Sequence, residues 1–260
     1  MLTPPDLVAF QVLHRGMRAD SARLAKAVAE VDEADRAPRA RQLHRWFDGF
    51  AGELRAYHTV EDDLFFPVLA ERVSVFEYEI GRIEAEHAHL DAALDRTRRA
   101  LETLGDEAVR WAEASRRATT TTADLHDLLD RQLAFEADFV LPMFVRHLTA
   151  DDYAAIDVMA ARYLSLGQLP FTIPWAMANA DPCEQRSLLD GTPLSFRLLW
   201  WATRGRYRRL ADEAFGHAIG DGHVNGNGHV NGNGHRATGH ANAANGHANV
   251  LDALSGSWRR

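Results

Sequence analysis

The chain has 260 residues, 46% of them hydrophobic, and a formal net charge of -8; this suits one large domain or one domain with appendages and excludes the basic footprint that general nucleic-acid binding needs. Its single cysteine, Cys183, excludes an intrachain disulfide and fits a reducing compartment. No run approaches about 18 apolar residues, and the N-terminus lacks a basic stretch followed by an apolar one, so neither a membrane span nor a signal peptide is expected and the predicted location is cytoplasmic.

Helical periodicity dominates and almost nothing alternates in the manner of a strand. A first helix is predicted over residues 4–32, with Leu7, Phe10, Leu13, Met17, Leu24 and Val28 mainly on one face and Thr3 as its cap. A second runs over 39–71 and carries Trp46, Phe47, Phe50, Leu54, Phe65 and Phe66; Pro67 is expected to kink its last turns. The third covers 76–104 and stops at Gly105, and the fourth covers 106–148 with a kink at Pro142. Four long helices with short connections read as an all-α, antiparallel four-helix bundle over residues 1–149.

Residues 150–216 are expected to pack on this bundle as a helical cap. A helix over 150–166 has Thr149 and Asp152 as capping and first-turn residues. The stretch QLPFTIPWAMANADP reads as an apolar, irregular connection, and residues 193–215 read as helix again. Arg204, Arg206, Arg208 and Arg209 next to Trp200 and Trp201 read as a solvated face with its aromatics turned inward. From 217 to 260 the chain is rich in Gly, Asn and His, with the hexapeptide GHVNGN written twice at 222–233; a tail of this composition is predicted to be disordered. Its histidines read as incidental to a neutral linker rather than as a chelator.

Ligand-type side chains fall near the middle of each bundle helix. They are His14 on the first; Tyr57, His58, Glu61 and Asp62 on the second; Glu86, His87 and Asp91 on the third; and Gln132 and Glu136 on the fourth. Residues four apart share a helix face, so His58/Asp62, Tyr57/Glu61, His87/Asp91 and Gln132/Glu136 can each aim at one central point. Carboxylates from two helices can bridge two metal ions, with imidazoles completing the shell. Glu61 lies six residues before Pro67 and Glu136 six before Pro142, so the second and fourth helices look like pseudo-symmetric halves.

An early His, an acidic His-bearing segment ending in LFFP, the sequence EHAHL and a carboxylate followed by VLP together resemble the hemerythrin-like HHE cation-binding family, over roughly residues 7–150. Carried over by residue, His14, Glu61, His87 and Glu136 fall on ligand positions of that family. Tyr57 stands where the family usually has His, with His58 beside it; Gln132 and Ile83 stand at two further such positions. The resemblance implies a non-haem site of one or two iron ions, with zinc or manganese as alternatives. The metal ligands it implies are His14, His58, Glu61, Asp62, His87 and Glu136, with Tyr57 and Gln132 lining the pocket in second rank. It also implies a small diatomic or peroxide ligand at the metal (O2, peroxide or NO), or sensing of oxygen or iron; no protein partner is indicated. Tyr57 and Gln132 equally allow a metal-free bundle whose hydrogen bonds satisfy the core and which serves as a binding module. A third reading has the cap cover a substrate pocket beside the metal, with WAMANADPCEQ as its lid.

Overall fold

In the computed structural model, the described residues are 5–216 except 161, 164, 191 and 193. Thr3, Pro193 and the tail at 217–260 lie outside them. Every element among the described residues is helical. Helix α1 spans Val8–Ala29, later in starting and earlier in ending than its periodicity suggests. A short 3-10 turn at Glu33–Asp35 leads into α2, Arg36–Val60. Then come α3, Phe66–Arg72; α4, Ser74–Gly105; α5, Trp111–Phe135; and α6, Leu141–His147. Helix α1 packs on α5, α5 on α4 and α4 on α2, which closes the bundle expected from the sequence.

The kinks expected at Pro67 and Pro142 take a specific form. Residues Glu61–Phe65 and Glu136–Val140 each make a π-helical turn, in which the Phe66 N–H donates to the Glu61 carbonyl and the Leu141 N–H to that of Glu136. Proline offers no N–H and its ring crowds the carbonyl four residues back. A widened turn with i→i+5 bonding relieves both, and such turns are frequent at functional sites. The two π turns start on the two glutamates singled out by spacing.

Beyond the bundle, α7 spans Ala150–Ala160. The Thr149 N–H donates to Asp152 Oδ2 at 2.8 Å and the Asp152 N–H to Thr149 Oγ1 at 3.1 Å, the reciprocal cap that the sequence suggests. The segment expected to be irregular is instead helix α8, Leu169–Asn179, followed by α9, Pro182–Leu189. Tertiary packing overrides the prolines. Pro170 occupies the first turn, where no N–H is needed, and Trp175, fully buried one residue after Pro174, donates its indole N–H to Asp20 Oδ2 at 2.8 Å. Asp181 caps α9, accepting from the N–H groups of Cys183 and Glu184. WAMANADPCEQ therefore forms the end of α8 and the start of α9. Its fit is close: a Cβ at Gly49 would lie 2.2 Å from the Phe171 ring, and one at Gly16 3.0 Å from Trp175.

Helix α10, Leu194–Phe215, returns across α8 and α2. Its aromatics divide in a way the sequence does not show. Tyr207 is buried, Trp200 lies 5.4 Å under the Arg204 guanidinium, and Trp201 is 67% exposed rather than turned inward. One apolar core runs from Phe10, Trp46 and Phe50 of the bundle through Phe171, Trp175, Tyr207 and Ala214 of the later helices. No helix among the described residues is long and apolar enough to cross a membrane.

Candidate metal centre

The polar residues buried in the middle of the bundle come from α1, α2, the two π turns, α4 and α5. Glu61 is 1% exposed and Glu136 fully buried, an expensive placement for two carboxylates without partners. Their partners are the residues that spacing brings to the same level. The Tyr57 hydroxyl donates to Glu61 Oε1 at 2.6 Å and lies 3.1 Å from Glu136 Oε2. His14 Nε2 stands 2.6 Å from the same hydroxyl and 3.0 Å from Glu136 Oε2. His14, Glu61 and Glu136 each bring a ligand atom within 4.8 Å of the other two.

The second oxygens of the two carboxylates face the other way. His87 Nε2 lies 3.7 Å from Glu61 Oε2 and 3.8 Å from Glu136 Oε1. Gln132 donates its amide to Glu136 Oε1 at 2.7 Å and approaches His87 Nε2 at 3.2 Å. His58 stacks on His87 with ring centroids 4.0 Å apart and planes 9° from parallel. Asp62 does not join this centre. Its Oδ1 lies 2.8 Å from His87 Nδ1, behind the ring, where a carboxylate fixes the imidazole and leaves Nε2 pointing inward. Glu86 and Asp91 face outward, to Arg82 at 2.6 Å and Arg55 at 3.7 Å respectively.

Electrostatics separate the two carboxylates. Burial, and then the neighbouring Glu136, raise the Glu61 carboxyl well above its ordinary range. Burial alone would raise Glu136 too, but hydrogen bonds from His14 and His87, with charge from His14 and His58, outweigh it and hold the group down at about 2. Burial, followed by both glutamates, pushes the Tyr57 phenol up. His58 is pushed down to about 3, first by burial and then by His87. For His87, burial works downward but Asp62 and Glu136 prevail and lift it to about 9. The two stacked imidazoles thus sit at opposite extremes.

Several buried atoms here have no hydrogen-bond partner: His58 Nδ1, Glu61 Oε2 and Gln132 Oε1. Orphaned polar atoms on residues around paired carboxylates fit a hard or borderline cation bound by nitrogen and oxygen. The surrounding wall is aromatic, with Phe10 4.3 Å from the His14 ring and Phe66 5.9 Å from the His87 ring, so water is largely excluded.

One buried acid does not stand out in the sequence. Glu53, 5% exposed, accepts a short hydrogen bond from the Thr172 hydroxyl of α8, and burial raises its carboxyl. The signal lies in the spacing: Glu53 is four residues before Tyr57 and eight before Glu61, on the buried face of α2.

A comparison with family models matches the hemerythrin HHE cation binding domain over residues 8–144. No curated protein and no solved structure matches the chain.

Proposed function

The chain belongs to the hemerythrin HHE cation binding domain family, and on that premise we propose that it holds one or two iron ions inside its bundle and uses them to bind, reduce or sense a small ligand such as O2, peroxide or NO. One observation supports this most. Each buried carboxylate turns one oxygen toward His14 and Tyr57 and the other toward His87 and Gln132. Glu61 and Glu136 would be shared between two ions, with His14 on one side and His87, backed by Asp62, on the other. His58, whose Nδ1 has no hydrogen-bond partner and whose ring centroid lies 4.0 Å from that of His87, would supply a further nitrogen after a rotamer change. Zinc or manganese would suit the same nitrogen and oxygen donors.

When bound, iron supplies an open coordination position and one-electron chemistry. The chain's own residues do the rest. The aromatic wall keeps water away from the centre. The Tyr57 hydroxyl, 2.6 Å from both His14 Nε2 and Glu61 Oε1, holds a proton beside the residues that would hold the ion. Gln132 offers an amide N–H on the opposite side. The lone exposed thiol of Cys183 is in keeping with a cytoplasmic location.

A second reading has its own support. His14, Tyr57, Glu61, Glu136, Gln132, His87 and Asp62 form a connected hydrogen-bond network. Such a network could stabilise a metal-free bundle used as a binding module.

Metal analysis separates the two. Untagged protein ending at Gly216, free of the His-rich tail, is assayed for iron, zinc and manganese beside Glu61→Gln and Glu136→Gln. Close to two ions per chain, lost in both variants, supports the shared-carboxylate site. About one ion supports a site rebuilt around His14, Glu61 and Glu136. A folded chain without metal, even after reconstitution with ferrous iron, favours the binding module.

A further inference from the structure

Between the bundle and the helices after it lies a cavity of about 160 Å³. Its inner end is formed by Tyr57 and Glu61; its outer end reaches Tyr163, which is exposed. Phe10 and Val60 come from the bundle, while Ile173, Met177, Leu188 and Phe196 come from α8, α9 and α10. Those three helices lie outside the matched domain at 8–144. The cavity is therefore a property of this chain and not of the domain alone.

We propose that this cavity binds one neutral, apolar molecule of about the size of a benzene ring, held against Tyr57 and Glu61.

The size fits such a guest. An engineered apolar cavity of about 150 Å³ stays dry and takes up benzene or xenon. The wall chemistry fits it as well. A water molecule needs two to four polar partners, and the polar groups along this wall are turned toward one another. The Tyr57 hydroxyl is committed to Glu61 at 2.6 Å, and the Glu53 carboxylate to Thr172. What remains facing the space is almost entirely carbon. Charge points the same way: the acids Glu53, Glu61 and Asp157 all line the cavity, which disfavours an anion, and a cation would lose its hydration against a carbon wall.

Small side chains keep the space open. Ala9, Ala56, Ala160 and Ala176 line it from α1, α2, α7 and α8. A leucine at any of these positions would fill much of the gap and recover the dispersion contacts that an empty space forfeits. Four elements thus present their smallest apolar side chain to one point. A molecule seated there meets Tyr57, whose hydroxyl ties His14, Glu61 and Glu136 together, so its arrival is felt at the centre of the bundle. The inference goes beyond cation binding and stands whether or not metal is held.

The test uses the full-length chain. Thermal unfolding is followed with increasing benzene, toluene or cyclohexane, and with acetamide as a polar control. Xenon uptake is followed in parallel by the 129Xe chemical shift. The expected result is a saturable rise in Tm of at least about 2 °C with the apolar probes and none with acetamide, together with a concentration-dependent xenon shift. Ala176→Leu, and independently Ala56→Leu from the opposite wall, should abolish both responses. Absence of both responses in the unaltered chain overturns the proposal, whatever the variants do. Responses that survive in a folded, filled variant overturn it too, because the probe must then bind elsewhere.

Discussion

At the scale of single residues, the centre is governed by which atom each side chain turns inward. Asp62 shows this best. It shares a helix face with His58 by spacing, and both meet His87: His58 stacks on the ring and Asp62 lies 2.8 Å from Nδ1. The carboxylate thus stands behind the imidazole rather than in the centre. Removing such a backing carboxylate typically weakens metal binding by about 10- to 100-fold. Asp62→Asn should therefore lower metal affinity by that order, measured by competition with a chelator, while leaving the fold intact; unchanged affinity would mean that His87 is not a ligand. The buried positions His14, Glu61, His87 and Glu136 stood out in the sequence as ligand-type side chains on bundle helices that match the family's pattern, the two glutamates also lying six residues before a proline. Glu53 did not, since a lone acid on an amphipathic helix ordinarily faces solvent and only the later helix α8 buries this one.

Glu53 also carries a prediction about pH. Burial raises its carboxyl above the unfolded value of 4.5, so the folded chain holds that proton more tightly than the unfolded chain does. The resulting stability is complete below 4.5 and is lost as pH rises through the folded value. Glu53→Gln cannot titrate and keeps an acceptor for Thr172. Its Tm relative to the unaltered chain should rise from pH 4.5 upward and level off once the pH has passed the folded value, and parallel pH profiles would show that Glu53 is ionised in the fold without penalty.

Among the elements, α8 departs most from what composition suggests. Pro170 and Pro174 with an apolar run look like a connection, because proline propensity is a local signal. What makes the segment helical is tertiary. Trp175 docks on Asp20, and the ring of Phe171 lies where a Cβ at Gly49 would come within 2.2 Å. The glycine is thus a packing requirement. Gly49→Ala improves the local helix propensity of α2 but pushes α8 away from it, and overpacking of this kind typically costs about 1–3 kcal/mol. Urea unfolding should show a net loss in that range; a gain would mean that α8 sits loosely on α2.

For the molecule as a whole, the bundle, α8 and α10 bury one continuous set of side chains, from Phe10 and Trp46 to Trp175, Tyr207 and Ala214, while α9 packs in a smaller cluster with Val12 and Met177. Helices that share a core unfold with it as a unit. Calorimetry should give a single transition whose calorimetric and van't Hoff enthalpies agree, and two resolved peaks would show that the later helices come apart alone. The helical class and the four bundle helices were legible because their periodicity runs over many turns. The joint core was not, because which faces of α8 and α10 meet the bundle depends on close approaches that no periodicity encodes.

The mirrored π turns have a consequence for how this chain can change its length. Each adds one residue to a turn, directly after a glutamate and directly before a proline-bearing helix. A π turn takes up its extra residue without turning the helix that follows, so deleting a single residue from one of them would restore ordinary winding and leave the next helix presenting the same face. Phe66 would then stay in the core, and the cost would fall on the proline, whose ring would again crowd the carbonyl four residues back. Each half can therefore lose its added residue without the other, and α3 and α6 still face each other.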